Sequence, residues 1–220
     1  MENITFSLSD MHRYGAAYYD YLRLRKQFFV DTLGWNIPHD DQVEMDQYDN
    51  PLAHYSVVLR DGEVVGGART MATTAAWGEH SYMLRDAFAG KLPDIPASVM
   101  PHEVQTPLVW ECTRLVMSDE VKTQAERSHC LTLIVEGLAE VAMRHGASEL
   151  MSLSPVSLMR ALRQLGWQAD RLGEPYHNTG DGRRYAVLTM PVHRTLPHPS
   201  AIPAAMAVAA RGGAGLQLAH

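Results

Sequence analysis

A β-hairpin spanning residues 54–74 constrains this chain more than any other feature. HYSVVLR (54–60) alternates apolar and polar residues, and Asp61-Gly62 is a two-residue turn suited to positive φ. EVVGGARTMATT (63–74) then returns as a second β-rich run. A sheet opened this way has to bury a face, and the rest of the chain supplies cover in alternation. Strands are predicted at 109–117 (VWECTRLVM), 149–154 (ELMSLS), 167–172 (WQADRL) and 184–193. Helical stretches fall between them: 82–92, Ser118 to about His145-Gly146, and a segment from Ser154-Pro155 to Leu165, closed by Gly166. A helix over 10–33 precedes the hairpin. Ser9 or Asp10 caps it, Leu22, Phe29 and Leu33 form its core face, and Gly34 ends it. Residues 36–53 read as an acidic loop, 93–107 as a proline-rich connection and 173–182 as a turn region. The order α, ββ, α, β, α, β, α, ββ predicts an α/β fold with one mixed sheet covered by helices.

The 220 residues suffice for one domain, assigned to 1–194, with an Ala/Pro/Gly-rich tail over 195–220 in which AIPAAMAVAAR can form a helix. A formal charge of −6 argues against a general nucleic-acid binder. No run approaches the ~18 apolar residues of a membrane span, and the N-terminus lacks a secretory pattern. Cys112 and Cys130 have no metal-ligand spacing, and the eleven histidines form no HExxH pattern. These features predict a cytoplasmic protein with reduced thiols and no metal site.

Several residues carry chemistry in combination. Arg25, Phe29 and Trp35 stand in the frame R-x3-F-x5-W. Asp46 and Asp49 follow in EMDQYD, Arg69 ends GGAR, and Glu111 and Arg114 lie in WECTR. Taken singly, Phe29 and Trp35 read as core, the acidic loop as solvated and Arg69 as a surface strand arginine. Together, in this order and spacing, they resemble the LuxI-type autoinducer synthases, the acyl-homoserine-lactone synthases, over about residues 20–192. The resemblance implies a three-layer αβα sandwich with a mixed, mostly antiparallel sheet, similar to the GCN5-related N-acetyltransferase fold. It also implies a reaction. The amine of S-adenosylmethionine attacks an acyl thioester on acyl carrier protein, and the methionine carboxylate then displaces methylthioadenosine and closes the lactone. S-adenosylmethionine is a substrate, so no cofactor is expected.

The residue chemistry suits that substrate. Phe29 and Trp35 can face the sulfonium. Asp46 and Asp49 can meet the ammonium or the ribose hydroxyls, and Arg25 or Arg69 can grip the carboxylate through a bidentate contact. Glu111 is the candidate general base. Arg114 would either fix Glu111 or contact the ligand. In a regular strand, residues three apart face opposite sides, so Glu111 and Arg114 serve one site only across a bulge. Cys112 reads as a small buried residue rather than a nucleophile.

The acyl chain needs an apolar wall. ELMSLS and the following helix offer Met151, Leu153, Leu158, Met159 and Leu162, with ordinary core packing as the alternative. The resemblance singles out Leu153 and Met159, and Met151 on the same strand joins them as a candidate pocket residue. Leu153 stands where a threonine accompanies 3-oxo selectivity in some family members, which favours an unsubstituted chain. Arg160, Arg163, Arg171, Arg183 and Arg184 are either a patch for an acidic carrier or an ordinary solvated face. SDEVKTQAERSHC, after the 109–117 strand, has no glycine to cradle a pyrophosphate, which argues against acetyl-CoA but leaves acyl-CoA open. Two other readings are an N-acyltransferase of the same fold acting on another amine, and a non-catalytic binder of acyl carrier protein or S-adenosylmethionine.

Overall fold

The computed structural model describes residues 1–195, so the tail helix expected within 201–211 lies outside the described residues. Strand β1 (Glu2–Ser7) comes first, then helix α1 (Ala17–Arg25), which continues as a π-helical turn over Lys26–Thr32. The hairpin β2 (His54–Arg60) and β3 (Glu63–Ala72) follows, then α2 (Met83–Phe88), β4 (Val109–Met117), α3 (Gln124–Arg144), β5 (Glu149–Pro155) and α4 (Val156–Gln164). Two short strands, β6 (Asp170–Arg171) and β7 (Tyr176–His177), precede β8 (Arg184–Pro191).

All eight strands join one sheet in the order β1-β2-β3-β4-β5-β8-β6, with β7 also paired to β8. Every pairing is antiparallel except β4–β5, so the sheet is mixed and mostly antiparallel, as expected. One core holds Ile134, Val135 and Leu138 of α3 and Leu162 of α4 against Val58, Val65 and Leu150 of the sheet. The other holds Tyr21 and Leu24 of α1 and Met83 and Leu84 of α2 against Tyr55, Val57 and Met71. Helices on both faces make three layers.

Helix α3 starts later than Ser118. Thr123 caps it, accepting from the Glu126 backbone N–H while the Glu126 carboxylate accepts from the Thr123 N–H. Gly137 lets this helix lie against the sheet, because a Cβ there would stand 2.3 Å from Ser56 Oγ and 2.4 Å from Asn3 Oδ1. The helix expected over 10–33 is instead broken at Gly15, whose φ of 59° leaves the helical region. Strand β1, which the sequence does not predict, pairs along β2 with Phe6 opposite Tyr55. Residues 167–172 keep only the two-residue β6, and the turn region 173–182 contains β7.

The sheet divides between β4 and β5. Their pairing covers only Val109↔Glu149, Trp110↔Leu150 and Glu111↔Met151. Beyond these residues β4 stays with β3 through Met117, while β5 stays with β8 through Pro155.

Candidate active site

The divergence of β4 and β5 opens a cleft of about 1370 Å³ that passes through the sheet. Phe29, Trp35, Asp46 and Tyr48 line it on the α1 side. Thr113, Arg114, Met151 and Leu153 line the split itself, and Leu131, Val135, Leu138, Leu158 and Leu162 line it between α3 and α4.

A bulge places Arg114 on this cleft. Gly67 pairs with Val116 and Arg69 with Thr113, so Ala68 on β3 faces both Arg114 and Leu115 on β4. Arg114 takes up the extra residue at a φ of 56°, a conformation costing a non-glycine residue on the order of 1–3 kcal/mol. Trp110, Cys112, Leu115 and Met117 pack toward α3. The skipped beat lets Arg114 join Thr113 on the opposite face, as the spacing of Glu111 and Arg114 required.

Six charged side chains then form a closed ring of alternating sign. Arg25 Nε donates to Glu44 at 2.6 Å, and its two terminal nitrogens donate to Asp49 at 2.8 Å each. Arg69 reaches Asp46 at 2.5 Å and Asp49 at 2.8 Å. Arg114 closes the circuit, meeting Glu44 at 3.2 Å and Asp46 at 2.7 Å. Thr113 Oγ1 accepts from Arg69 Nε at 3.0 Å, and the Tyr55 hydroxyl donates to Asp49 at 3.0 Å. Burial alone would raise the carboxyl groups of Asp46 and Asp49. The facing guanidinium groups outweigh it and hold both below the ordinary value.

Only part of this ring borders the cleft. Arg114 and Asp46 line it, whereas Arg25, Arg69 and Asp49 lie behind the wall. Arg25 and Arg69, expected to grip a substrate carboxylate, are placed with both forks wholly buried and taken by internal carboxylates. Asp49 likewise serves Arg25, Arg69 and Tyr55. Glu44 completes the ring and was not among the expected site residues. Its signal was its place two residues before Asp46 in the same acidic segment.

Glu111 is buried beside this ring and does not border the cleft. Its two oxygens accept the backbone N–H groups of Met83 and Leu84 at the start of α2, each at 2.8 Å. Burial pushes its carboxyl up to about 7, against the pull of those two N–H groups and Arg69. Arg114 turns to Glu44 and Asp46, so it contacts the cleft rather than fixing Glu111.

The π turn re-aims the aromatic pair. Leu33 N donates to Phe28 O five residues back, and Trp35 N donates to Phe29 O. The Phe29 and Trp35 rings stack with centroids 5.1 Å apart. The Arg114 guanidinium lies 5.5 Å from the Phe29 centroid. Phe29 is 5% exposed and thus mostly covered, while Trp35 keeps more of its surface open.

The apolar end brings two of the three expected wall residues to the cleft. Met151 and Leu153 border the cleft, but Met159 does not. Helix α4 presents Leu158, Ala161 and Leu162 to it, and Met159 packs against the α3-side core. Alternation along β5 sends Leu153 toward the α1-side core. Ser152 and Ser154 share the face of Leu150, with their hydroxyls 2.9 Å apart. The strand residue facing the α3-side chamber is thus Ser152, while Leu153 borders the cleft from the other face of β5. Leu131, Val135 and Leu138 were not anticipated, although their i, i+4, i+7 spacing marks one face of α3.

Cys112 borders the cleft on the side opposite Glu111. Burial pushes its thiol up to about 12, against a contact to Thr70 Oγ1 at 3.5 Å, which fits an inert residue. Of the five exposed arginines, Arg163 is tied to Asp170 and the Ala169 carbonyl, and Arg171 to Glu174. Arg160, Arg183 and Arg184 make no ion pair among the described residues. Among the described residues no helix is long and apolar enough to cross a membrane.

A sheet split between one parallel pair, with helices on both faces, defines the GCN5-related N-acetyltransferase-like fold. Escherichia coli ElaA shares it, with a TM-score of 0.53 at 14% identity over 86% of this chain and 97% of that one. Within that class the chain belongs to the autoinducer synthase family, which it matches over residues 9–195, and it is an acyltransferase. It is 31% identical to the acyl-homoserine-lactone synthase of Acinetobacter nosocomialis over 168 residues, 73% of this chain and 85% of that one. TofI, in a ternary complex with an inhibitor and MTA, is similar with a TM-score of 0.69 at 25% identity, covering 89% of this chain and 95% of TofI. The CoA-dependent acyl-homoserine lactone synthase BjaI, solved with MTA, shares the fold with a TM-score of 0.70 at 20% identity, covering 86% and 82%.

Proposed function

We propose that the protein joins the amine of S-adenosylmethionine to an acyl group from a thioester and then closes the homoserine lactone. One observation carries this reading: a single cleft connects an aromatic and charged end, at Trp35, Asp46 and Arg114, to an apolar chamber between α3 and α4. The first end suits a sulfonium, an ammonium and a carboxylate on one small molecule; the second suits a fatty chain.

In this assignment Asp46 meets the ammonium, Arg114 takes the methionine carboxylate and Trp35 faces the sulfonium. Arg25, Arg69, Asp49 and Glu44 hold Asp46 and Arg114 in place. The ammonium loses one proton to the base, the resulting amine attacks the thioester carbonyl, and the second proton shed by nitrogen passes to the departing thiolate. A C–N bond forms, the C–S bond breaks, and the thiol leaves. The carboxylate oxygen then displaces methylthioadenosine at the γ-carbon, a step favoured by proximity because the sulfonium is already a good leaving group. Glu111 is the proton acceptor in this scheme, working through a water. Two of its roughly four acceptor positions are taken by Met83 and Leu84, which leaves capacity for one more bond.

The donor assigned here is an acyl carrier protein, an acidic partner for Arg160, Arg183 and Arg184, and the reaction is assigned to the cytoplasm. The similarity to CoA-dependent BjaI supports an acyl-CoA donor as the second reading. Mass spectrometry of reactions with S-adenosylmethionine and panels of carrier-protein and CoA thioesters tests both. Methylthioadenosine together with an acyl-homoserine lactone is the expected result, and the productive thioester identifies the donor. An acylated amine without methylthioadenosine would favour an acyltransferase for another amine. Binding without turnover would favour a non-catalytic binder.

A further inference from the structure

The hairpin between β7 and β8 holds a carboxylate that the scheme above does not use. Asp181 Oδ2 accepts the Trp35 indole N–H at 3.3 Å and the Tyr185 hydroxyl at 2.6 Å, and its Oδ1 accepts the Arg183 backbone N–H at 3.0 Å. The Trp35 bond spans 146 residues of sequence and joins the two walls of the cleft mouth. On one side are Gly34, Trp35 and Ile37, after the π turn; on the other are Asn178, Gly180 and Arg183. Asp181 does not line the cleft, but Trp35 and Tyr185 do. The Trp35 and Tyr185 rings lie 6.2 Å apart, and Trp35 in turn stacks on Phe29.

An indole at a cleft mouth can tilt about its side-chain torsions unless its N–H is tied down. Here one carboxylate ties that N–H to a well-buried tyrosine on a sheet strand. A cation–π contact depends on the cation lying over the ring face, so the tilt of the indole sets its strength.

We propose that Asp181 is a positioning residue that fixes the plane of Trp35 through its indole N–H, and thereby sets the affinity for S-adenosylmethionine. The proposal rests on the reading of Trp35 as a face for the sulfonium. Asp181→Ala should raise the KM and Kd for S-adenosylmethionine roughly tenfold, the scale of a lost hydrogen bond to a charged group. The KM for the thioester and kcat at saturation should stay unchanged. Asp181→Asn keeps an oxygen acceptor without the charge, so it should recover most of the affinity. Trp35→Phe keeps a ring but removes the N–H. On that background Asp181→Ala should cause little further loss.

Calorimetric titration of S-adenosylmethionine and methylthioadenosine into the wild type, the three single variants and the double variant, with steady-state kinetics of Asp181→Ala, tests this. Non-additive losses with recovery in Asp181→Asn are the expected outcome. Wild-type binding with fully additive losses, or an Asp181→Ala defect spread equally over thioester KM and kcat, would overturn this inference alone. A folded wild type that binds neither compound would remove the reading of the cleft and this inference with it.

Discussion

Arg114 Nη2 stands 2.7 Å from Asp46 Oδ2, and these two residues are the members of the six-residue charge ring that line the cleft with an arginine and a carboxylate facing each other. The ring carries three positive and three negative groups, so it is neutral as a unit. A neutral, closed ring tolerates burial because each charge has a partner on either side, and it fails when one member is removed. Asp49→Ala would leave Arg25 and Arg69 short of a partner in a fully buried place. The expected loss is about 3–5 kcal/mol, read as a lower urea midpoint. Tyr55→Phe, which removes one neutral donor to Asp49, should lose only about 1 kcal/mol.

Arg114 should respond differently. Arg114→Lys keeps the charge but not the fork that spans Glu44 and Asp46. kcat/KM for S-adenosylmethionine should fall roughly 10- to 100-fold, the equivalent of about 1.5–3 kcal/mol. The melting temperature should move less than for Asp49→Ala, because Arg114 sits at the open edge. A wild-type kcat/KM would remove Arg114 from substrate contact.

Glu111 links stability and activity to pH. Burial raises its carboxyl from 4.5 to about 7, so between those values the folded protein holds a proton that the unfolded chain has released. Stability from this group therefore falls as pH rises through that window and levels off above it. Glu111→Gln should flatten that part of the stability curve. As the proton acceptor, ionised Glu111 should also give a rate that rises with pH through about 7. Glu111→Gln should lower turnover about 10²–10⁴-fold with S-adenosylmethionine binding kept. Wild-type turnover in Glu111→Gln would dismiss it as the base.

The hairpin, the 109–117 strand and the α3 and α4 segments were legible because alternation, capping and the Asp61-Gly62 turn are local signals. The charged set was legible as a combination, but its internal pairing was not. Sequence gives Arg25 and Asp49 no hint of the bidentate bond between them, because that bond depends on where the 36–53 loop is laid across α1. Strand β1 escaped because its six residues are half-buried at a sheet edge and carry no turn signal before them. Which of Ser152 and Leu153 faces the α3 side was not legible, because a strand has a period of two and a slip of one residue exchanges the two faces. Asp181 escaped because NTGDG reads as a turn, and only the fold carries it to Trp35.

Cys112 tests the direct-transfer scheme against a covalent one. A thiol pushed up to about 12 holds almost no thiolate near neutral pH. Cys112→Ala should keep turnover, and alkylation of the native protein at that position should be slow by peptide mass mapping. Loss of all turnover in a folded Cys112→Ala protein would point to an acyl-enzyme.

The α3 face should set chain length. Val135 borders the cleft between Leu131 and Leu138, one helical turn from each, so a larger side chain there projects into the space an acyl chain would fill. Val135→Phe is expected to shift products toward shorter acyl chains, with a stability loss of about 1–3 kcal/mol from overpacking. Val135→Ala enlarges the same chamber and should admit longer chains. Product profiles by mass spectrometry, from an equimolar mixture of thioesters of graded length, read both variants in one assay. Opposite shifts in the two variants place the chain terminus against α3. An unchanged profile in both would place it elsewhere in the cleft, along β5 and Leu153.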